Sequence, residues 1–165
     1  MAKHNFKALQ TFRAWSKENN EWMYGSYIKS YEDLIVEDNQ IIVYKDLFGN
    51  EIVDYSDFFV VEKESIGIYT GKNDATKWED RPEWLKHILK EDWTGVPIFA
   101  GLPEDGNIGG DKVSDGHGNS GYVVFDDEMM PCIDFTDVEL VSLYDSNSWS
   151  EVIGTAYEQH LKETK

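Results

Sequence analysis

Short apolar runs separated by polar turns dominate the first part of the chain, and this spacing is typical of β-strands rather than helices. Residues 37–39 have the composition of a hairpin turn, and residues 58–61 form a β-branched and aromatic run typical of a strand buried on both faces. Strands are therefore predicted at residues 27–28, 34–36, 40–44, 51–53 and 58–61.

The period becomes helical in the middle of the chain. Residues 80–83 offer a capping aspartate, an early proline and a glutamate three residues after the aspartate. Apolar residues then recur at helical spacing: Trp84, Leu85, Ile88 and Leu89. The pattern predicts a short amphipathic α-helix over residues 82–91. Residues 94–119 are rich in Gly, Pro and Asp and predict loops and tight turns.

The last third returns to strand-like runs, predicted at residues 121–125, 130–135, 138–144 and 150–154. Residues 155–165 have the spacing of a short helix with Tyr157 and Leu161 inward, or of a terminus that frays. The whole pattern predicts a mainly-β fold, of barrel or sandwich type, with one short inserted helix over residues 82–91. By count of elements, α+β is the alternative.

The segment FRAWSKENNEWMYG, residues 12–25, places aromatic residues on either side of a polar run. Nothing apolar recurs every three or four residues, so a helix is not predicted here. The arrangement suits an edge hairpin in which Phe12, Trp15 and Trp22 close over a small core while residues 17–20 turn in solvent.

The composition indicates a self-sufficient core, because aromatic residues make up 14% of the 165 positions. The single cysteine, Cys132, can form no internal disulfide, which suits a reducing cytosol. No apolar run approaches the roughly 20 residues that span a bilayer, and the N-terminal residues lack the apolar stretch of a secretory signal. A soluble cytoplasmic protein is expected.

The charge is strongly negative, with 32 acidic side chains against 15 basic ones and a formal net charge of −17. Such a field repels nucleic acid and anionic membrane surfaces, so direct binding to either is not expected. Solubility is the favoured interpretation. The alternative is that the carboxylates imitate the phosphates of duplex DNA and occupy the DNA-binding groove of a host protein.

Four segments stand out along the chain. They are FRAW at residues 12–15 with Lys17-Glu18 and Trp22-Met23 after it, YTGKND at residues 69–74, GDKV at residues 110–113, and SEVIGTAYE at residues 150–158. In these segments the chain resembles the YopX family of phage and prophage proteins. The segments occur in the order found in the family, and together they span most of the chain. The resemblance implies a compact mainly-β fold and a phage or prophage origin, and it brings no catalytic residues.

The chain departs from the family pattern between the second and third segments. About 35 residues separate them here, whereas they lie close together in the family, and an echo of the family's intervening text stands upstream at residues 45–52. The resemblance therefore predicts a single YopX-like domain over residues 1–165. It would carry a helical insert over about residues 75–93 and a Gly/Asp-rich loop over about residues 94–119.

Candidate metal and catalytic residues are few. Residues 105–110 match positions one, three and six of a calcium-binding loop, but Gly109 stands at position five and Gly116 stands where the bidentate glutamate belongs. The histidines lack zinc-site spacing, and Cys132 lies in a predicted strand without a candidate base. Phosphate-binding loops and nucleophile elbows are absent from the sequence. No metal, cofactor or catalytic residue is therefore predicted.

Tryptophans and acids are the candidates for binding a partner. Trp78, Trp84 and Trp93 lie in or beside the insert, and exposed tryptophan is enriched at the energetic centres of interfaces. Packing between the helix and the β body is the favoured alternative for Trp84, and for the other two the alternatives are balanced. The candidates also include three acids after a predicted strand, where a solvated turn is favoured over acid–base chemistry: Asp126, Asp127 and Glu128.

The expected function is that of a non-catalytic phage or prophage accessory protein that binds a host or phage protein inside the infected cell. Its sharper form is an acidic DNA mimic that inhibits a host nuclease or DNA-binding protein. One alternative is a small-ligand protein or metal-dependent enzyme in which the 94–119 loop gathers Asp105, Asp111, Asp115 or His117 in a pocket. Another is a self-assembling homo-oligomer that buries edge strands and the tryptophans of the insert between copies.

Overall fold

A computed structural model of the protein describes residues 10–29, 31–37, 41–55, 57–135, 140–146 and 150–164. These residues form mainly β-structure, as the sequence predicts. The strands are β1 (Phe12–Ser16), β2 (Glu21–Lys29), β3 (Asp33–Val36), β4 (Ile41–Lys45), β5 (Glu51–Tyr55), β6 (Phe59–Val60), β7 (Gly67–Asn73), β8 (Pro97–Gly101), β9 (Asp111–Ser114), β10 (Ser120–Phe125), β11 (Pro131–Asp134), β12 (Val141–Ser142) and β13 (Glu151–Thr155). The α-helices are α1 (Leu143–Ser146) and α2 (Ala156–Glu163), and 3₁₀ turns occur at Lys63–Ser65, Trp78–Asp80, Glu83–Leu85 and Lys90–Asp92.

One curled mixed sheet, a half-barrel, brings together strands from both ends of the chain. Its strand order is β12-β11-β10-β8-β7-β1-β2-β3-β6, and neighbours are antiparallel except for the parallel pair β8 and β10. β9 branches from this order by pairing with β10, and β13 pairs with β9. β4 and β5 form a separate two-stranded hairpin.

The opening segment forms a hairpin in the middle of the sheet, so the prediction of an edge hairpin is wrong. β1 pairs with both β2 and β7, and β2 pairs also with β3. The predicted hairpin with its exposed turn at residues 17–20 is confirmed, and within it Trp15 and Trp22 are directly opposite, with their rings edge to face at 5.5 Å. The central position agrees with the burial of β1, in which Arg13, Ala14 and Ser16 are nearly inaccessible.

Two clusters of buried apolar side chains form the core. The larger is built from β7 to β11 and α1: Ile68, Ile98, Ala100, Val113, Val123, Phe125, Ile133 and Leu143. The smaller is built around β1, β2 and β3: Ala14, Met23, Ile35, Val61 and Ile66. Phe12 and Leu102 pack against both clusters, so the apolar interior is continuous across the sheet.

The insert contains helical turns but not the continuous α-helix predicted over residues 82–91. Two separate 3₁₀ turns, Glu83–Leu85 and Lys90–Asp92, replace it, and Leu89 has extended dihedral angles between them; a further 3₁₀ turn precedes them at Trp78–Asp80. Side chains donate hydrogen bonds to backbone carbonyl groups that would accept backbone N–H groups in a continuous helix. The indole Nε1 of Trp78 donates to the carbonyl of Ile88 at 3.1 Å, and the Arg81 guanidinium donates to that of Lys86 at 3.2 Å.

Residues 94–119 contain two strands, so the prediction of a loop throughout is wrong. β8 consists of an apolar run that follows Gly95 and ends at Gly101, and all five residues of the strand are buried. β9 follows and lies between β10 and β13, with which it pairs. The glycines misled the prediction because they allow close backbone contact as well as turns: a side chain at Gly109 would collide with the Ile66 carbonyl.

Two further strand predictions change. β6 is two residues long and half-buried, not buried on both faces, because among the described residues it pairs with β3 alone, at the end of the strand order. In the described part of the predicted strand 138–144, residues 140–144, the extended pair is Val141–Ser142, and α1 begins at Leu143. Residues 38–39 of the predicted turn, and residues 138–139, lie outside the described residues. The C-terminal helix is confirmed as α2, with Tyr157 only 1% exposed.

Among the described residues, three hairpin turns are each organised by an aspartate. Asp46, Asp115 and Asp126 each accept hydrogen bonds through Oδ1 from the amides two and four residues later, at 2.7–3.2 Å. The residue three positions after the aspartate has a positive φ in each turn. It is glycine in the first two, at 80° and 91°, and Met129 in the third, at 60°.

Candidate functional site

A buried ion pair joins β1 to the start of β9. Nη1 of Arg13 lies 2.7 Å from Oδ1 of Asp111, and Nη2 donates to the carbonyl of Gly109 at 2.9 Å. The second carboxylate oxygen of Asp111 accepts from the Phe99 amide at 2.8 Å. Burial raises the pKa of Asp111, while the guanidinium and the amide act in the opposite direction. Both charges are thus paired and hydrogen-bonded, as burial requires.

Aromatic rings enclose the same guanidinium. Its Cζ lies 4.5 Å from the ring centroid of Trp22 and 4.6 Å from that of Phe99. Its Nε is buried and has no hydrogen-bond partner among the described residues. Beside it, burial raises the pKa of Tyr24, with Arg13 opposing the shift, so the phenol is protonated at neutral pH.

Three of the four segments singled out in the sequence lie around this pair. The first contributes Arg13, the third contributes Asp111, and the fourth contributes Tyr157, whose ring lies 5.9 Å from that of Trp22. The neighbouring Glu158 accepts a hydrogen bond from the Trp22 indole at 3.1 Å. These segments therefore share one network of contacts in the fold.

A groove of 640 Å³ opens beside the ion pair, between β2, β13 and the insert. We call it the acidic groove and define it by its lining residues: Arg13, Glu21, Trp22, Tyr24, Thr76, Asp80, Pro82, Trp84, Val96, Pro97, Asp111, Glu151, Val152, Ile153, Gly154, Thr155 and Glu158. Arg13 and Asp111 neutralise each other in its deepest part. Within the described lining, four further carboxylates face no further cation: Glu21, Asp80, Glu151 and Glu158.

The insert supplies one aromatic wall of the acidic groove. The ring of Trp84 is stacked on that of Tyr24, with centroids 5.6 Å apart and planes 14° apart. Trp84 is 36% exposed, whereas the next residue, Leu85, is fully buried. Leu85 is therefore the residue that anchors this turn of the insert, and Trp84 presents its ring to the groove.

The opposite wall is β13, and all five of its residues line the groove. The buried carboxylate of Asp74 holds this wall to the base of the insert. It accepts hydrogen bonds from the amides of Val152 and Val96, each at 2.7 Å, and from the amide and hydroxyl of Thr76 at 3.0 and 2.8 Å. The walls are thus connected through one fully hydrogen-bonded side chain.

Of the three predicted tryptophans, only Trp84 lines the acidic groove. Trp78 is half-buried, donates its indole N–H to the Ile88 carbonyl, and has the Arg81 guanidinium 4.0 Å from its ring. Trp93 donates its indole N–H to the carbonyl of Thr76 at 2.8 Å. These two residues hold the insert in shape, which is a structural role.

The predicted acids do not share a site with the tryptophans. Asp126 organises its hairpin turn through the two amide hydrogen bonds described above, and Asp127 and Glu128 are exposed at the tip of that turn. None of the three lines the acidic groove. They form a separate acidic tip between β10 and β11.

The 94–119 region does not bring Asp105, Asp111, Asp115 and His117 together in one pocket, although its residues Val96, Pro97 and Asp111 line the acidic groove. Asp111 lies buried in the acidic groove, whereas Asp105 is exposed and the amide of His117 is bonded to Asp115 in a turn at the far end of β9. Among the described residues, no group of three or more His, Cys, Asp or Glu side chains could hold a metal ion.

Several residues of the groove escaped the sequence reasoning. Tyr24, Glu151 and Glu158 carry no local signal of function, because only the fold places them together. Arg13 offered one signal: it is the single cation in a strand otherwise made of apolar and small residues. A charge in such a strand requires a buried partner of opposite sign.

Comparison with protein-family models, curated proteins and solved structures finds no match to this chain. Among the described residues there is no helix both long and apolar enough to cross a membrane.

Proposed function

We propose that the protein is a non-catalytic phage or prophage accessory protein that binds a basic segment of a host or phage protein in the cytoplasm of the host cell. The acidic groove is the site of binding. The observation that carries the proposal is the composition of its lining, in which four uncompensated carboxylates lie beside three aromatic rings. The phage origin comes from the resemblance to the YopX family.

Charge favours a cationic occupant. The groove has low-dielectric aromatic walls, and the chain as a whole has a formal net charge of −17, so its field attracts cations towards the site. Lysine and arginine side chains fit this chemistry, because their charged ends match carboxylates and their stems or guanidinium planes pack on aromatic rings.

The lining also favours binding over catalysis by a Ser–His or Cys–His pair. Its described residues include no histidine, cysteine, serine or lysine, so neither pair is present among them. The buried carboxylate of Asp111 is occupied by Arg13 and by the Phe99 amide. Aromatic side chains at the centre of a groove are instead typical of protein interfaces.

The test is capture of partners from host-cell lysate with the tagged protein at low and high salt. A protein held through charge should be lost as the ionic strength rises. Asp80→Lys/Glu151→Lys should abolish its capture, because both carboxylates line the groove. Asp127→Lys/Glu128→Lys changes the charge equally at the acidic tip and should retain the partner.

Three results would decide between the alternatives. A partner retained by the groove variant and lost by the tip variant would contradict the proposed site. A partner that binds DNA and is released by duplex DNA would favour the DNA-mimic form of the proposal. Capture of no protein at either salt concentration would overturn the proposal.

A further inference from the structure

We propose that the occupant of the acidic groove is an extended basic segment that pairs with the outer edge of β13 as an added strand. This inference rests on the proposed function and specifies how the partner is bound. Strand addition supplies affinity through main-chain hydrogen bonds, and side-chain pockets supply specificity.

The first observation is that one long side of β13 has no strand beside it. In the described part of the chain β13 pairs only with β9, from Glu151 opposite Ser114 to Thr155 opposite Asp111. The acidic groove runs along this strand, since all five β13 residues line it. An unpaired edge offers a row of amide and carbonyl groups to an incoming chain.

The second observation is that a side chain already imitates a pairing strand at one end of this edge. The Val152 amide donates to Oδ2 of Asp74 at 2.7 Å, and the Ser150 carbonyl accepts from the Ala75 amide at 2.8 Å. Residues 74–75 thus occupy the start of the edge. The remainder, residues 153–155, faces the groove, with Ile153 54% exposed.

The other free edges of the sheet are poorer templates. β6 and β12 end the main strand order, but each is only two residues long. β13 has five residues, of which 153–155 lie beyond the part occupied by residues 74–75, and it has a register irregularity between Val152 and Gly154. Only β13 of these three edges borders the groove lined by Trp84 and Tyr24.

Charge complementarity identifies the side chains of the occupant. Glu151 lies on β13 itself, and Asp80 and Glu21 lie among the groove residues contributed by the insert and β2. Basic residues at alternate positions of an added strand would all point to one face. An alternating Arg-Val segment therefore has the chemistry that the groove accepts.

The experiment uses the peptide acetyl-Arg-Val-Arg-Val-Arg-Val-amide and two N-methylated derivatives of it, which are isomers of each other. One isomer carries N-methyl groups on the three arginines, and the other carries them on the three valines. In a paired strand, alternate residues direct their N–H groups to the same neighbour. Strand addition therefore uses one set of amides, whereas attraction through charge alone uses neither.

We expect the unmodified peptide to bind by calorimetry at low salt, and one isomer to bind at least about tenfold more weakly while the other stays within about threefold. Hydrogen exchange should slow for at least one amide among residues 153–155. If both isomers bind like the parent and these amides gain no protection, strand addition is overturned while recognition of a basic segment stands. If none of the peptides binds, both are overturned.

Discussion

Arg13 and Asp111 lie 98 positions apart in the sequence, yet their side chains form an ion pair of 2.7 Å that is almost completely removed from water. The pair fixes β1 against the start of β9, so it connects the central hairpin of the sheet to the strand that carries β13. Trp22 and Phe99 cover the guanidinium, with their ring centroids 4.5 and 4.6 Å from its Cζ.

Breaking this pair from one side is expected to be severe. Arg13→Met or Asp111→Leu should each lower the free energy of unfolding by about 3–5 kcal/mol, because each leaves an uncompensated buried charge. The double variant should lose less than the sum of the two, since no lone charge remains. Urea unfolding of the four proteins measures both effects.

An exposed ion pair provides the control. Lys17 lies 3.5 Å from Glu62, but its side chain is 66% exposed. Lys17→Met should change the free energy of unfolding by less than about 0.5 kcal/mol. Additive losses in the double variant of the buried pair would show that Arg13 and Asp111 stabilise the fold independently, against the prediction.

The Asp126 turn has methionine at the position where the other two turns have glycine. This residue, Met129, has a φ of 60°. Met129→Gly should raise the free energy of unfolding by about 0.5–1 kcal/mol, because glycine adopts this conformation without a Cβ clash. Gly118→Ala, with open space around its Cβ, should lower it by a similar amount for the opposite reason.

Met130→Gly separates this effect from loss of the methionine side chain. Met130 is similarly exposed, at 41% against 46% for Met129, and is not among the residues with positive φ. Glycine there gains no conformational advantage and should destabilise the protein slightly. Thermal unfolding of the three variants should therefore shift in different directions, and equal shifts for both methionines would refute the argument.

Local patterns predicted much of the strand content because strand propensity and turn composition are properties of neighbouring residues. Apolar runs bounded by polar turns form the following strands, each at a predicted position: β3, β4, β5, β10 and β13. The prediction of an α-helix in the insert failed although the apolar residues do recur at helical spacing. The reason is that two backbone carbonyls of the insert accept hydrogen bonds from the side chains of Trp78 and Arg81. Whether side chains or backbone amides bind these carbonyls depends on where the chain folds back, and the spacing of apolar residues gives no information on that.

The candidate site was less predictable because it is assembled from distant segments. Trp84 was named as a candidate, but its stacking partner Tyr24 comes from β2, and Glu151 comes from β13. The strand order that brings these together contains a branch at β10. No local signal specifies such a branch, so the groove follows only from the fold.

Asp74 is expected to stabilise the acidic groove, because its carboxylate connects β13 to the base of the insert. Asp74→Asn should lower the free energy of unfolding by about 2–3 kcal/mol, because an amide NH₂ would replace one carboxylate oxygen and meet the N–H of Val152 or Val96. Asp105→Asn is the matched control at an exposed position and should be nearly neutral. Chemical denaturation and exchange of the Val152 amide measure the loss, and a neutral Asp74→Asn would contradict it.

Alkaline pH should destabilise the protein through Tyr157. Burial, with smaller contributions from Glu62 and Glu64, raises the pKa of Tyr157 from its ordinary value of 10.0 to about 12. The neutral phenol is therefore favoured in the fold, so its contribution is complete below pH 10 and is lost as the pH rises towards 12. Tyr157→Phe keeps the ring but cannot ionise, so its unfolding midpoint should fall less steeply over that range.

Adjacent residues of the insert separate binding from stability. Leu85→Ala should lower the free energy of unfolding by about 2–5 kcal/mol, because Leu85 is fully buried and its removal leaves a cavity. Trp84→Ala should cost much less stability, because Trp84 is 36% exposed, but it should weaken binding of the Arg-Val peptide at least about tenfold by removing an aromatic wall. Calorimetric titration beside urea unfolding gives both quantities. Unchanged peptide affinity in Trp84→Ala would mean that the ring only packs on Tyr24, and the acidic groove would then lose its aromatic contribution to recognition.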